Sequence, residues 1–400
     1  MKANPGGEIA TQDVVGRNRF IERLWETLEH QSIVLVSERR MGKSCVIKKM
    51  GAEDPGGHLV FYADVEGLET PIDFAERVLH DVYPHLSGLQ RAKSRVNALL
   101  RRLAGTEIAK VGKFPPAAAP QWRDLLDATI ADLVGHHDRP AIFFWDELPL
   151  MLQNVKRNSG EEAAMGVLDA LRALRQTYGG LRMVYTGSIG LHHVLSALRE
   201  AGHTNDATND MRTIELPPLH ENDAQFLAGE LIQGEQLKCA DVPATAEALA
   251  RETDCIPFYI HHVVAAMRDR GTSASESLAR EIVSEFLVHP QDPWHFNHYR
   301  NRLEKYYGKD RVPVVLYLLD ELAVDAAVPF DVLFGQLGAH LGREHGETAR
   351  QILEGDRERL RHLLKLLQGD HYVVRQPKGG AYRFRFPLIK RWWCLHRSLP

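Results

Sequence analysis

The segment Ser37-Glu38-Arg39-Arg40-Met41-Gly42-Lys43-Ser44 joins a continuous apolar run, Ile33-Val34-Leu35-Val36, to a helical pattern over residues 43–50. It follows the phosphate-binding loop pattern G-x-x-x-x-G-K-[ST] at every position but the first. Each residue type has a physical reason. Backbone N–H groups at a helix N-terminus cradle phosphate oxygens. Lys43 brings a point charge to the β- and γ-phosphates, the Ser44 hydroxyl ligates Mg²⁺, and Gly42 lets the backbone turn without a side chain. Ser37 stands where the pattern has glycine. If that position requires a positive φ, serine strains it by about 1–3 kcal/mol.

Working outward, an apolar run without alternation suits a parallel strand covered on both faces, here Ser32–Val36. Further strands are expected at residues 59–62, 141–145, 183–186 and 213–216, with helices at 122–133 and 163–176 between them. Strands alternating with helices imply an α/β domain with a mostly parallel sheet. The third strand ends in Ile142-Phe143-Phe144-Trp145-Asp146-Glu147. An apolar strand closed by two acids supplies a metal-holding carboxylate, Asp146, and a base for the attacking water, Glu147.

Past Pro217-Pro218 the strands cease, and residues 222–232, 244–251 and 258–269 look like short helices. From about residue 312 the pattern shifts again. Helices at 314–322, 330–337 and 348–367 precede two short strands, 371–375 and 381–386, joined through Gly379-Gly380, a hairpin signal. Three helices and a hairpin predict a winged helix-turn-helix. The expected domains are an α/β nucleotide domain (1–218), a helical lid (219–300) and a winged helix (301–400).

In order along nearly its whole length, the chain resembles the AAA+ superfamily of P-loop ATPases, in the group near the STAND ATPases and the archaeal replication initiators. Val15-Gly16-Arg17-Asn18-Arg19 is similar to the family's V-G-R-E-x-E opening, which would place Gly16 and Arg17 beside the adenine; Asn18 replaces the acid. The loop's Met41, Gly42, Lys43, Ser44 and Cys45 would line the phosphates, and Ser44 and Asp146 would hold Mg²⁺. Tyr185-Thr186-Gly187-Ser188 resembles the strand end carrying the polar γ-phosphate sensor, Thr186 or Ser188. Ile214 to Leu219 resembles the approach to the lid. Thr253-Asp254-Cys255-Ile256-Pro257 resembles T-x-G-x-P, placing Pro257 at a lid helix start with Cys255 replacing glycine. Arg212, just ahead of the fifth strand, fits the arginine finger that acts on a neighbouring subunit; Arg172, Arg175 and Arg199 are rivals. The resemblance implies Mg²⁺-dependent ATP hydrolysis, a homo-oligomer or a neighbouring effector protein, and a role in replication, mobile elements or phage defence.

Charge refines the expected partner. The 400 residues carry 49 Lys+Arg against 53 Asp+Glu, a net −4, which excludes a uniformly basic nucleic-acid coat. The balance is uneven. Residues 356–400 hold eleven bases and three acids, leaving −12 on the other 355. A basic helix and wing suit DNA, with affinity that falls as salt rises; docking of a protein partner is the alternative. Residues 91–113 carry a second basic run, seven bases to one acid. Trp392 and Trp393 read as core anchors. Four cysteines with no Cys-x-x-Cys pair, no apolar run near the ~20 residues of a membrane helix, and a polar N-terminus predict a cytoplasmic protein that binds no membrane.

Overall fold

The computed structural model describes every residue apart from 88–89, 91–93, 105–115, 188–189, 204 and 345–355. The described chain forms two compact units. One comprises Arg17–Ser37 and Lys43–Leu216; the other comprises Met1–Gly16, Glu38–Gly42 and Pro217–Pro400.

The first unit is built on a five-stranded parallel sheet. Its strands are β1 (Ser32–Val36), β2 (Leu59–Asp64), β3 (Ala141–Asp146), β4 (Leu181–Tyr185) and β5 (Met211–Glu215), in the order β2-β3-β4-β1-β5. All six residues of β3 are buried, as expected of an inner strand covered on both faces. Register places Ile33 beside Val184 and Arg212, and Trp145 beside Tyr185. Aromatic side chains fill one layer: Phe61 stacks on Phe143 at 4.5 Å, and Phe74 meets Trp145 edge-on at 5.1 Å. The fifth strand starts two residues before the expected 213 and ends at Glu215. It is an edge strand, with Arg212 and Thr213 exposed, so its apolar signal is diluted.

Several helices escaped the sequence reading. Pro71–Val82 begins with a capping box in which the Thr70 hydroxyl accepts from Asp73 N and the Asp73 carboxylate accepts from Thr70 N. The Asp132 carboxylate accepts from the N–H groups of Arg95 and Val96, opening Arg95–Ala104. That helix holds part of the second basic run; 91–93 and 105–113 lie outside the described residues.

The second unit is helical apart from one small ladder. Glu221–Gly234, Val242–Glu252, Pro257–Arg270 and Glu276–Val288 come first. Asn297–Tyr306, Val312–Val324, Phe330–Glu344 and Asp356–Gly369 follow. Then β6 (Val373–Arg375) pairs antiparallel with β7 (Tyr382–Phe384), and Pro387–Arg397 closes the chain. Both strands are shorter than expected, His371 falls outside β6, and 348–355 of the expected third helix lie outside the described residues. Gly379 and Gly380 both adopt positive φ, 79° and 63°, which explains the Gly-Gly pair in this connection. An isolated antiparallel bridge joins Val328 to Tyr382.

The helix Pro387–Arg397 was not anticipated, although its tryptophans were placed inside. Trp393 is fully buried and its Nε1 donates to Asp320 Oδ1 at 2.8 Å; Trp392 lies 5.7 Å from Phe296. No helix among the described residues is long and apolar enough to cross a membrane.

Candidate functional site

Three adjacent strands end together. Beyond β1 comes the loop 37–44, beyond β3 comes Glu147, and β4, which lies between them, runs into Thr186. The Asp146 carboxylate, 5% exposed, is the hub. Its Oδ2 accepts from Ser44 Oγ at 2.7 Å and its Oδ1 from Thr186 Oγ1 at 2.5 Å. Glu147 N also donates to Oδ1 at 3.2 Å, and Tyr62 OH approaches Oδ2 at 3.4 Å. Burial, and then the Asp146 charge, push the Tyr62 phenol up from its usual range, so it stays a donor. Backbone bonds fix the strand ends: Thr186 N donates to Trp145 O at 3.0 Å and Leu148 N to Thr186 O at 3.1 Å. Lys43 Nζ turns back on the first loop residue, reaching Ser37 O at 3.0 Å and Ser37 Oγ at 3.1 Å.

The loop's unusual backbone lies at Arg40 (φ 71°) and Gly42 (φ 88°). Ser37 has no positive φ, which corrects the expected strain: serine occupies the first position without a backbone penalty. The ligand set suits a small hard cation. Ser44 and Asp146 offer oxygens only, one of them an anionic carboxylate. Neighbouring ligands in an octahedron with bonds of about 2.05 Å are about 2.9 Å apart. The 2.7 Å between Ser44 Oγ and Asp146 Oδ2 is close to that edge. Glu147 occupies a left-handed conformation (φ 59°) at the N-terminus of Leu148–Ser159 and makes no side-chain cap there. Strain of that kind in a non-glycine residue costs of order 1–3 kcal/mol and clusters at functional sites.

No protein-family model matches this chain, and no curated protein matches it. Solved structures do. A Walker-type ATPase of Pyrococcus abyssi superposes with a TM-score of 0.61 over 96% of each chain, at 16% identity. The ORC2 protein of Aeropyrum pernix, in its ADPNP–ADP complexes, gives 0.50 over 98% of this chain and 96% of its own, at 13% identity. The chain has the fold of the AAA+ P-loop ATPases.

Other anticipated residues of this AAA+ fold are distributed as follows. Gly16 has φ 68°, and a Cβ there would lie 2.7 Å from that of Asp223, so only glycine fits. Arg17 is buried at the start of Asn18–Leu28. Met41 is buried, Cys45 is half-buried on the first turn of Lys43–Ala52, and Pro257 opens Pro257–Arg270. The turn before Pro257 is left-handed twice, at Asp254 (φ 52°) and Cys255 (φ 56°). Cys255 N reaches Ala250 O at 2.8 Å, closing a Schellman-type helix end in which glycine would be less strained.

Arg212 is exposed beside Arg23, Glu26 and His30. It pairs in register with Ile33, four residues before Ser37, so it lies toward the sheet end away from its own loop. Its rival Arg175 is engaged within the fold. Its guanidinium is buried against Asp210 (2.8 and 2.9 Å) and donates to Ala207 O and the Tyr185 hydroxyl. Arg172 is half-buried, and Arg199 is exposed, 3.7 Å from Asp206. Ser188 lies outside the described residues.

Two residues near the loop were missed. Glu38, the second loop residue, is 2% exposed, and Arg302 of Asn297–Tyr306 pairs with it at 3.3 and 3.5 Å. Arg40 lies over the Phe258 ring at 4.0 Å. Glu38 was visible as an acid inside a phosphate loop. Arg302, some 260 positions away, carries no local signal.

Proposed function

We propose that the chain binds Mg²⁺·ATP and hydrolyses it, driving a conformational switch that acts on DNA. The observation that carries this reading is the convergence of Ser44, Asp146 and Thr186 within hydrogen-bond distance at three neighbouring strand ends. Lys43 would leave Ser37 for the β- and γ-phosphates. Ser44 and Asp146 would hold Mg²⁺, whose charge offsets that of the phosphate oxygens. Glu147 would accept the proton of the attacking water, and Thr186, tied to Asp146, would orient that water. Arg212 would serve a neighbouring copy in a homo-oligomer, since it lies away from its own loop. A Glu147→Gln variant should retain ATP without turnover. Equal turnover in wild type and variant would remove Glu147 from the mechanism.

The DNA reading rests on Asp356–Gly369, where Arg359, Arg361 and Lys365 are exposed, together with exposed Lys378 in the β6–β7 connection. We propose that these elements act as the winged helix. Four phosphate contacts would give a slope of about −3.6 in log affinity against log salt. No DNA binding at 50 mM salt would exclude this. One observation favours the alternative, docking of a protein such as an effector. Much of the C-terminal positive charge is already engaged: Arg391 with Glu252, Arg397 with Asp320, and Lys390 with Asp325 O.

A further inference from the structure

Among the described residues, the Asp146 carboxylate accepts hydrogen bonds on both of its oxygens. Thr186 Oγ1 and Glu147 N donate to Oδ1 at 2.5 and 3.2 Å. Ser44 Oγ and the Tyr62 hydroxyl donate to Oδ2 at 2.7 and 3.4 Å. The donors on Oδ2 differ in how they respond to a cation. The Ser44 hydroxyl is itself an oxygen ligand: on meeting a cation it turns a lone pair to the ion and stops donating to Asp146. Tyr62 has no such second task and stays on Oδ2. Oδ1, tied to Thr186 and to the backbone, then acts as a pivot. The tyrosine is the donor that limits how far Oδ2 swings about it.

Strand register puts Tyr62 where it can do this. β2 pairs with β3 so that Tyr62 lies beside Phe144, and Asp146 follows on the same face of β3. Tyr62 and Asp146 are therefore diagonal neighbours, a span that a long side chain crosses and a short one does not. The ring is half-buried and faces the helix Lys43–Ala52, where Lys48 Nζ lies 5.9 Å from its centroid. Tyr62, Ser44, Asp146, Glu147 and Thr186 all belong to the unit that carries the parallel sheet.

We propose that Tyr62 is a positioning residue: it holds Asp146 Oδ2 in place for the metal and so sets the preference of the site for Mg²⁺ over Ca²⁺. The inference rests on the Mg²⁺·ATP reading above and deepens it. Mg²⁺ demands near-ideal octahedral geometry, whereas Ca²⁺ accepts six to eight oxygens in flexible arrangements at about 2.3–2.6 Å. Play at Oδ2 therefore penalises Mg²⁺ more than Ca²⁺. Hydrogen-bond partners of ligating side chains typically contribute about 10–100-fold in metal affinity. The 3.4 Å contact is long for an O–H···O bond, so the effect here should fall at or below the lower end of that range. A tyrosine that serves packing alone would change stability and leave the choice of ion untouched.

Wild type and Tyr62→Phe test this. Phenylalanine keeps the ring and its packing and removes only the hydroxyl. Each protein is titrated with ATP in excess Mg²⁺, in excess Ca²⁺ and in EDTA, and the readout is equilibrium binding rather than turnover. Wild type should bind ATP more tightly with Mg²⁺ than with Ca²⁺. In Tyr62→Phe that preference should shrink by about threefold or more, while affinity in EDTA stays within about twofold of wild type. A smaller shrinkage, equal losses with both ions, or a loss in EDTA as large as that in Mg²⁺ would overturn the proposal and leave the Mg²⁺·ATP reading standing. So would a wild type that binds ATP equally well with either ion and more weakly in EDTA. Wild type that binds ATP no better in Mg²⁺ than in EDTA, or binds none, would overturn the parent reading, and this one with it.

Discussion

Replacing Ser37 by glycine restores the phosphate-loop pattern, and the structure says what that should do. The sequence pattern alone suggests relief of strain, with a gain of about 1–3 kcal/mol. The backbone contradicts this, because Ser37 has no positive φ. Glycine therefore relieves nothing and adds unfolded-state entropy, costing about 0.5–1 kcal/mol. It also removes the Ser37 hydroxyl that accepts from Lys43 Nζ at 3.1 Å; such a bond contributes about 0.5–1.5 kcal/mol, taken at the low end for a half-buried lysine. The sum is a loss of about 1–2 kcal/mol. For a unit of roughly 200 residues that lowers Tm by about 2–5 °C. Nucleotide affinity should move the other way, since Lys43 keeps only the carbonyl of Ser37 to leave behind; a gain of up to about fivefold is expected. Ser37→Ala separates the two effects: it loses the hydroxyl without glycine's flexibility, so it should show the affinity gain with a smaller fall in Tm. Thermal melts without nucleotide and ATP titrations of the three proteins suffice. A rise of Tm by 2 °C or more in Ser37→Gly would refute the reasoning.

Ser44→Ala and Asp146→Asn should each weaken ATP binding tenfold or more in Mg²⁺ but by less than threefold in EDTA, measured by equilibrium titration; equal losses in both would remove the metal role. Arg175→Met leaves Ala207 O, the Tyr185 hydroxyl and part-exposed Asp210 without their shared donor, and should cost about 1–3 kcal/mol in denaturant melts. Asp254 gives a pH signature. Burial pushes its carboxyl up to about 6, despite the Leu388 N–H and Arg391 beside it. A folded pKa above the unfolded one means that its stabilisation is present at low pH and lost as pH rises through about 6. Between pH 7.5 and 5 the stability of Asp254→Asn, relative to wild type, should therefore fall by on the order of 1–2 kcal/mol; a flat difference would show the carboxyl to be unperturbed.

The sheet was legible because its signal is local. Ile33–Val36 and Ala141–Trp145 are unbroken apolar runs, and both are inner strands. The edge strand Met211–Glu215 shifted because half of it faces outward, where selection for apolar residues is absent. The helix Pro71–Val82 was missed although it carries both signals, a capping box at Thr70 and Asp73 and an apolar stripe at Phe74, Ala75, Val78, Leu79 and Val82 at helical spacing. For the site, Lys43, Ser44, Asp146 and Thr186 could be named because each sits at a strand end or loop with its own pattern. What joins them, the common Asp146 carboxylate, is a property of strand order, and strand order is not written in any one segment.

The same distinction explains Glu38. Within the octet it reads as a variable position, and in many loops it would be a solvated side chain. Here it is buried, and a buried carboxylate must find a counter-charge or lose its own. Arg302 supplies that counter-charge from a helix about 260 residues further on, held there by Asp370 and Tyr372. A side chain that looks local within the octet therefore owes its ionised state to a partner that no local pattern announces, because the pairing is made by the fold and not by the spacing of residues in any one segment.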